Sequence, residues 1–309
     1  SCAGLELQLN AERAFGIAGE ALNLKLNTVQ QTNQPIKIVS VNEQLLNLSL
    51  SKNKASSSSL RFELSKALST PYWLLKKGSL GVFEIANKAL IGEPETPVLE
   101  ANIRVRIGET EIEFNEPINF RENDAVRGEV ITPFYVLPQL GINFDKTVHL
   151  FPNDEQQTIR LEVTNYGASF SGEIELCFPN GWEIDQAKKE IQLENRGSSQ
   201  FISYQLNPTD KAESGLMSPL VHLNGETQDK VFEVKEINYE HIPKQYVAQP
   251  SEAKLVRLNL KLPQKKIGYI MGAGDLVQQN LIAVGLPIRS IDIESISQDE
   301  LNKFDTILI

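Results

Sequence analysis

Cysteine, histidine, methionine and tryptophan are scarce in this chain: two, three, two and two among 309 residues. Two cysteines, Cys2 and Cys177, are too few for a disulfide framework or a thiolate zinc site, and their spacing leaves open whether they pair. His149, His222 and His241 stand singly, without the H-x-x-x-H or C-x-x-C spacing that brings ligands onto one metal, and each reads as a strand or linker residue. Basic side chains are outnumbered 30 to 40, for a net charge of −10. That balance argues against a nucleic-acid partner, which needs a basic face. Apolar runs are only a few residues long, far short of the roughly 20 needed for a membrane-spanning helix, so no membrane span is expected. No serine sits in a nucleophile elbow, and Cys177, between Leu176 and Phe178, reads as a small buried hydrophobe. The carboxylate pairs Glu109/Glu111 and Asp299/Glu300 fall at a strand edge and a helix start, where solvation accounts for them. No catalytic, metal-binding or cofactor-binding residue is assigned.

What is present is ordinary globular composition, 41% apolar and 23% charged, in a length that suggests two or three domains at about 150 residues each or less. The dominant signal is period-two alternation. Leu5, Leu7 and Leu9 alternate with Glu6, Gln8 and Asn10; Leu22, Leu24 and Leu26 with Asn23, Lys25 and Asn27; Leu46, Leu48 and Leu50 with Asn47 and Ser49. Leu99, Ala101, Ile103, Val105 and Ile107 share a face, and Gly108-Glu109 turns that run back into Ile112 and Phe114. Short half-buried strands without a 3.6-residue period mean an antiparallel β-sandwich over residues 1–137.

A second set follows at immunoglobulin-like spacing over 138–237: Ile142 and Phe144; Ile159, Leu161 and Val163; Ile174, Leu176 and Phe178; Phe201, Tyr204 and Leu206; Phe232 and Val234. Thr164-Asn165-Tyr166-Gly167 marks a turn in which Gly167 is able to take positive φ. After the corner Phe178-Pro179-Asn180-Gly181, Trp182 and Ile184 point to the core. Residues 238–264, with Pro243, Pro250 and Pro263, read as a linker that runs extended along the preceding domain and includes the strand-like Leu255 to Leu262. In 265–309 the pattern becomes strand (Ile267–Met271), turn, helix (Leu276–Val284), strand (Ile288–Ile293), short helix (Gln298–Lys303) and buried strand (Phe304–Ile309). That is the start of a flavodoxin-like α/β domain with a parallel sheet. The period-two pattern beginning at Leu5 speaks against a lipidated Cys2 and for an internal start, and a chain stopping inside a strand suggests an excerpt of a longer polypeptide.

Two features are candidates for binding. Tyr72 and Trp73, after Pro71 in a loop, have the aromatic surface that stacks on sugar rings. Gly272, Gly274 and Asp275 form a turn between strand and helix, the place where backbone N–H groups receive an anion, with Asp292 and Glu294 downstream at ribose distance. Val277 stands where the dinucleotide fingerprint requires a third small residue, so a plain β-to-α turn is favoured over a nucleotide site.

Several phrases together resemble the C-terminal region of multidomain PIG-L (LmbE-like) N-acetylglucosaminyl deacetylases. They are Cys2-Ala3-Gly4-Leu5, Gly19-Glu20-Ala21-Leu22, Pro71-Tyr72-Trp73-Leu74, Val126-Arg127-Gly128-Glu129, Val136-Leu137-Pro138, Tyr239-Glu240-His241-Ile242-Pro243, Gly268 to Asp275 and Phe304 to Ile309. Thr158 to Ile184 is also similar to a module associated with bacterial α-galactosidases. The resemblance implies two sandwiches followed by an α/β domain like class I glutamine amidotransferases but without their catalytic residues. It further implies an exported, extracytoplasmic parent acting on an acetylated amino sugar, with partners in the same polypeptide: a deacetylase domain upstream and the remainder of the α/β domain downstream. The family's His-Pro-Asp-Asp motif is absent from this chain, so zinc or another divalent metal is implied only for the upstream domain, and carbohydrate remains a candidate partner here.

Overall fold

The computed structural model describes residues 4–76, 78, 79, 81–92, 99–242, 244–258, 260–262, 264–272, 274 and 276–309. Cys2 and Asp275 lie outside them.

The first unit is an eight-stranded sheet folded over on itself. Its path runs Gln44–Ser49, Ile36–Val41, Glu100–Ile107, Thr110–Asp124, Leu5–Ala11, Ala21–Gln30, Ala55–Glu63, with Gly128–Pro133 also on Thr110–Asp124. The fold-over lies in the long Thr110–Asp124 strand. Up to Pro117 it pairs antiparallel with Glu100–Ile107; from Ile118 it pairs parallel with Leu5–Ala11 and, from Asn119, antiparallel with Gly128–Pro133. Proline has no N–H to give a ladder, so Pro117 is a natural place for a strand to change partners and layers. The alternating leucines close the space between the layers: Leu9, Leu22, Leu24 and Leu26 from one face Ile38, Ala101, Ile103 and Val105 from the other.

The second unit packs two six-stranded sheets. One orders Trp182–Ile184, Ser199–Pro208, Gln157–Asn165, Leu140–Phe144, Phe232–Ile237 and Gln245–Pro250; the other orders Val148–Phe151, Ala253–Arg257, Gly215–Leu223, Phe170–Cys177 and Lys188–Leu193, with Glu226–Gln228 on Gly215–Leu223. Their shared core holds Ile142, Phe151, Ile159, Leu161, Val163, Ile174 and Trp182. Tyr204, fully buried, donates its hydroxyl across the sandwich to the Ile174 carbonyl at 2.5 Å. Burial pushes that phenol well above its ordinary range.

Several expectations are corrected here. The stretch 238–264, read as a linker, supplies a strand to each sheet of the second sandwich: Gln245–Pro250 pairs with Phe232–Ile237, and Ala253–Arg257 pairs with Val148–Phe151 and Gly215–Leu223. Cys177 is exposed rather than buried, because the alternation that turns Leu176 inward turns its neighbour out. Phe201 is likewise on the outer face, 56% exposed, where the Arg160 guanidinium covers its ring at 4.6 Å. Gly167 does not take left-handed backbone; the turn is held by Asn165, whose Oδ1 accepts from the Gly167 N–H at 2.9 Å.

Gly181 does occupy that region, at φ +83°, and a Cβ there would stand 2.2 Å from the Lys211 carbonyl oxygen. Gly181→Ala is therefore expected to destabilise the chain by about 2 kcal/mol, from left-handed strain plus displacement of the neighbouring backbone. The shift of the urea midpoint measures it.

The last unit is a small three-stranded parallel sheet, ordered Ile288–Ser290, Ile267–Tyr269, Thr306–Leu308. The helices Val277–Ala283 and Gln298–Leu301 lie between its strands in sequence. Ser297 caps the second in a reciprocal box with Glu300. The Phe304–Ile309 run, whose composition predicts a buried strand, forms a strand only over Thr306–Leu308, at the sheet edge, with Ile307 and Ile309 exposed.

Candidate functional site

Pro71, with φ −53°, starts a single 3-10 turn over Tyr72–Leu74, closed by the Leu74 N–H donating to the Pro71 carbonyl at 2.9 Å. The Tyr72 and Trp73 rings stand nearly perpendicular, 4.8 Å apart, and both are half-buried. Just before the turn, Thr70 donates its hydroxyl to the Ala248 carbonyl at 3.0 Å, so a loop of the first unit is tied to the second. The turn presents Leu74 and Leu75 to a cleft of about 410 Å³ whose other wall is Val148, Leu216, Pro250 and Lys254 of the second sandwich. Those leucines, rather than the two aromatic rings, line it.

The loop belongs to a larger junction. Phe15–Ile17 and Tyr135–Leu137 form a two-stranded parallel ladder between the units. Ser69 bonds to Val136 in both directions, its hydroxyl accepting at 2.6 Å and its N–H donating at 2.8 Å. Around the ladder, Tyr135, Leu137, Val234, Tyr246 and Ala248 form a buried cluster with Phe15, Leu68 and Tyr166 packed on it. Phe15 meets Tyr166 and Tyr246 edge-on at 5.7 and 5.4 Å, and Tyr135 meets Tyr246 at 5.5 Å. Arg196 of the second unit stacks on Phe15, donates to the Tyr166 carbonyl and lies 3.9 Å from Glu20, which also pairs with Arg13 at 2.8 Å. Burial, with Glu236 and Glu162 nearby, pushes the Tyr166 phenol up to about 12. Nothing in the sequence marks this junction, because its residues run from Phe15 to Ala248 and follow no motif.

None of the histidines joins a cluster. His222 bonds through Nε2 to Glu175 at 2.7 Å and through Nδ1 to Thr227 at 2.9 Å, leaving neither nitrogen for a metal. His149 is buried, its Nε2 without a hydrogen-bond partner and 3.8 Å from Asp145. Burial pushes this imidazole below its ordinary value, and Asp145 offsets only part of that. The unfolded chain therefore takes up a proton on acidification before the folded one does. Stability is full above the unfolded value near 6.5 and is lost as pH falls from there toward the folded value. The thermal midpoint should drop as pH falls below about 6.5, and His149→Leu should flatten the slope.

At the other end, Gly272 and Gly274 are exposed, Gly274 at φ +76°, ahead of a helix of seven residues. So short a helix sums little dipole. Asp292 uses its carboxylate locally, accepting from the Ser295 hydroxyl and the Glu294 N–H, which holds it below the usual carboxylate range. Among the described residues no three His, Cys, Asp or Glu side chains gather as a metal site, and no helix is long and apolar enough to cross a membrane.

These features define a mainly β protein: two interlocked β-sandwiches carrying a small parallel sheet. No family model matches the chain, and no curated protein matches it. Among solved structures it is similar to the D0-D1 domain of Intimin, with 11% identity and a TM-score of 0.25 over 81% of this chain and 97% of that one. It is also similar to an alpha-2-macroglobulin of Salmonella, at 10% identity and TM-score 0.27, and to that of E. coli in its native conformation, at 14% and 0.26. Both cover 84% of this chain, which spans only 17% of either macroglobulin.

Proposed function

We propose that this chain is a non-catalytic accessory region of an exported amino-sugar deacetylase of the PIG-L type. In this reading, two immunoglobulin-like sandwiches hold the deacetylase domain at a fixed distance and angle from a flavodoxin-like α/β module. The observation that carries the reading is the junction. A spacer that sets an angle must resist bending, and a backbone ladder with a buried aromatic cluster resists it far better than a polar hinge does. The family resemblance supports the rest: a catalytic domain ahead of Ser1 holding zinc or another divalent metal, an acetylated amino sugar as substrate, and a location outside the cytoplasm.

The isolated chain incubated with N-acetylglucosamine oligosaccharides and zinc should release no acetate, and the gene read upstream of the Ser1 codon should encode a His-Pro-Asp-Asp motif. Acetate release by the chain, or an upstream frame without that motif, refutes the proposal. Direct glycan contact is a second reading, favoured by the half-buried Tyr72 and Trp73 rings beside the cleft. Stacking on one ring is worth about 1 kcal/mol, so Trp73→Ala should weaken retention on a glycan array several-fold; unchanged retention removes that reading.

A further inference from the structure

The parallel sheet carries a separate cavity of about 380 Å³, within the size range of small-ligand pockets. Its apolar lining comprises Ile267, Pro287, Ile296 and a floor of Ile291 and Phe304 against the central strand. These two approach so closely because the central strand has Gly268 beneath them: a Cβ there would stand 2.3 Å from Ile291 Cδ1 and 3.2 Å from the Phe304 ring. Around the floor stand three cations, Lys266, Arg289 and Lys303.

The charged groups at this cavity are unequally engaged. Two carboxylates also line it, and both are occupied by their own chain: Asp292 by Ser295 and Glu294, Glu300 by the N–H and hydroxyl of Ser297 at 3.3 Å each. The side chains of the three cations make no ion pair among the described residues, although the Asp305 carboxylate accepts from the Lys266 backbone N–H at 2.7 Å. Elsewhere in this acidic chain most arginines are paired, as Arg13 with Glu20, Arg104 with Glu113, Arg121 with Glu129 and Arg257 with Asp154. Hydrogen bonds to neutral donors leave Asp292 and Glu300 charged, so the lining carries three cations against two anions; the net +1 and the unpaired side chains of Lys266, Arg289 and Lys303 favour an oxyanion.

We propose that this cavity binds a small organic anion, a phosphate or carboxylate group on a compact apolar body. Arg289, with Lys266 and Lys303, holds the oxyanion, and the Ile291–Phe304 floor takes the apolar part. A guanidinium offers two parallel donors to such a group, whereas the lysines act as point charges. Gly272 and Gly274 are not among its lining residues, and the site does not depend on the parentage proposed above.

The test is titration of the full chain at low ionic strength with phenyl phosphate, inorganic phosphate and benzyl alcohol, followed by amide NMR shifts and calorimetry. Phenyl phosphate should bind saturably, with shifts centred on residues 289–296, and more tightly than either of the others. The double variant Arg289→Ala, Lys303→Ala, both exposed positions, should keep the native thermal midpoint and lose at least about tenfold in affinity. Absence of saturable binding, shifts centred elsewhere, no preference for phenyl phosphate over inorganic phosphate, or unchanged affinity in the double variant overturns the proposal.

Discussion

Trp182→Ala is expected to destabilise the chain by about 3–5 kcal/mol, the range for removing a large buried aromatic. The indole is 7% exposed, and its ring meets Phe151 at 4.6 Å and 71°. Its Nε1 donates to the Glu213 carbonyl at 2.8 Å, joining the corner after Asn180 to the loop ahead of the Gly215–Leu223 strand. Alanine would leave a cavity beside Phe151 and strip that carbonyl of its donor, two losses that add. Trp182→Phe keeps most of the ring and forfeits the hydrogen bond, so it should fall between alanine and the native residue. Urea unfolding followed by far-ultraviolet circular dichroism measures both, since fluorescence would then report only Trp73.

Much of this architecture is legible in the sequence wherever a strand has one wet and one dry face. Leu22, Leu24 and Leu26 mark such a strand without ambiguity, and the turn from β to α/β pattern after Lys266 is where the parallel sheet begins. Alternation misleads when the phase is taken from composition. Cys177 and Phe201 are apolar residues on outward positions, and only the parity of Leu176, Ile202 and Tyr204 identifies them as such.

Alternation disappears where a strand is buried on both sides. Tyr246, Val247 and Ala248 are all buried, because Gln245–Pro250 serves a sandwich and the junction at once. Flanked by Pro243 and Pro250, such a run has the composition of a linker. Phe134 to Leu137 has the same character: Phe134 and Val136 face the first core while Tyr135 and Leu137 face the junction. The cleft and the cation-lined cavity were illegible for a different reason. Each gathers residues from several elements, and no spacing in one segment encodes that convergence.

The two faces of that short run yield the second large effect. Tyr135 is 1% exposed, within 5.5 Å of Tyr246, on the strand that pairs with Phe15–Ile17. Tyr135→Ala should cost about 3–5 kcal/mol, and the loss should fall on the coupling between units rather than on either sandwich core. A single cooperative unfolding transition in the native protein should then separate into two, resolved by calorimetry, with the radius of gyration in small-angle scattering rising before either sandwich unfolds. Phe134→Ala is the matched comparison: an equally buried aromatic one residue away that belongs to the first core, its ring over Gly16. Its expected loss is of the same order, but it leaves the Phe15, Tyr166 and Tyr246 contacts in place and should preserve one transition. Equal splitting in both variants would mean that the junction draws its rigidity from the cores behind it. Splitting in Tyr135→Ala alone assigns the rigidity to the aromatic cluster, where the spacer reading requires it.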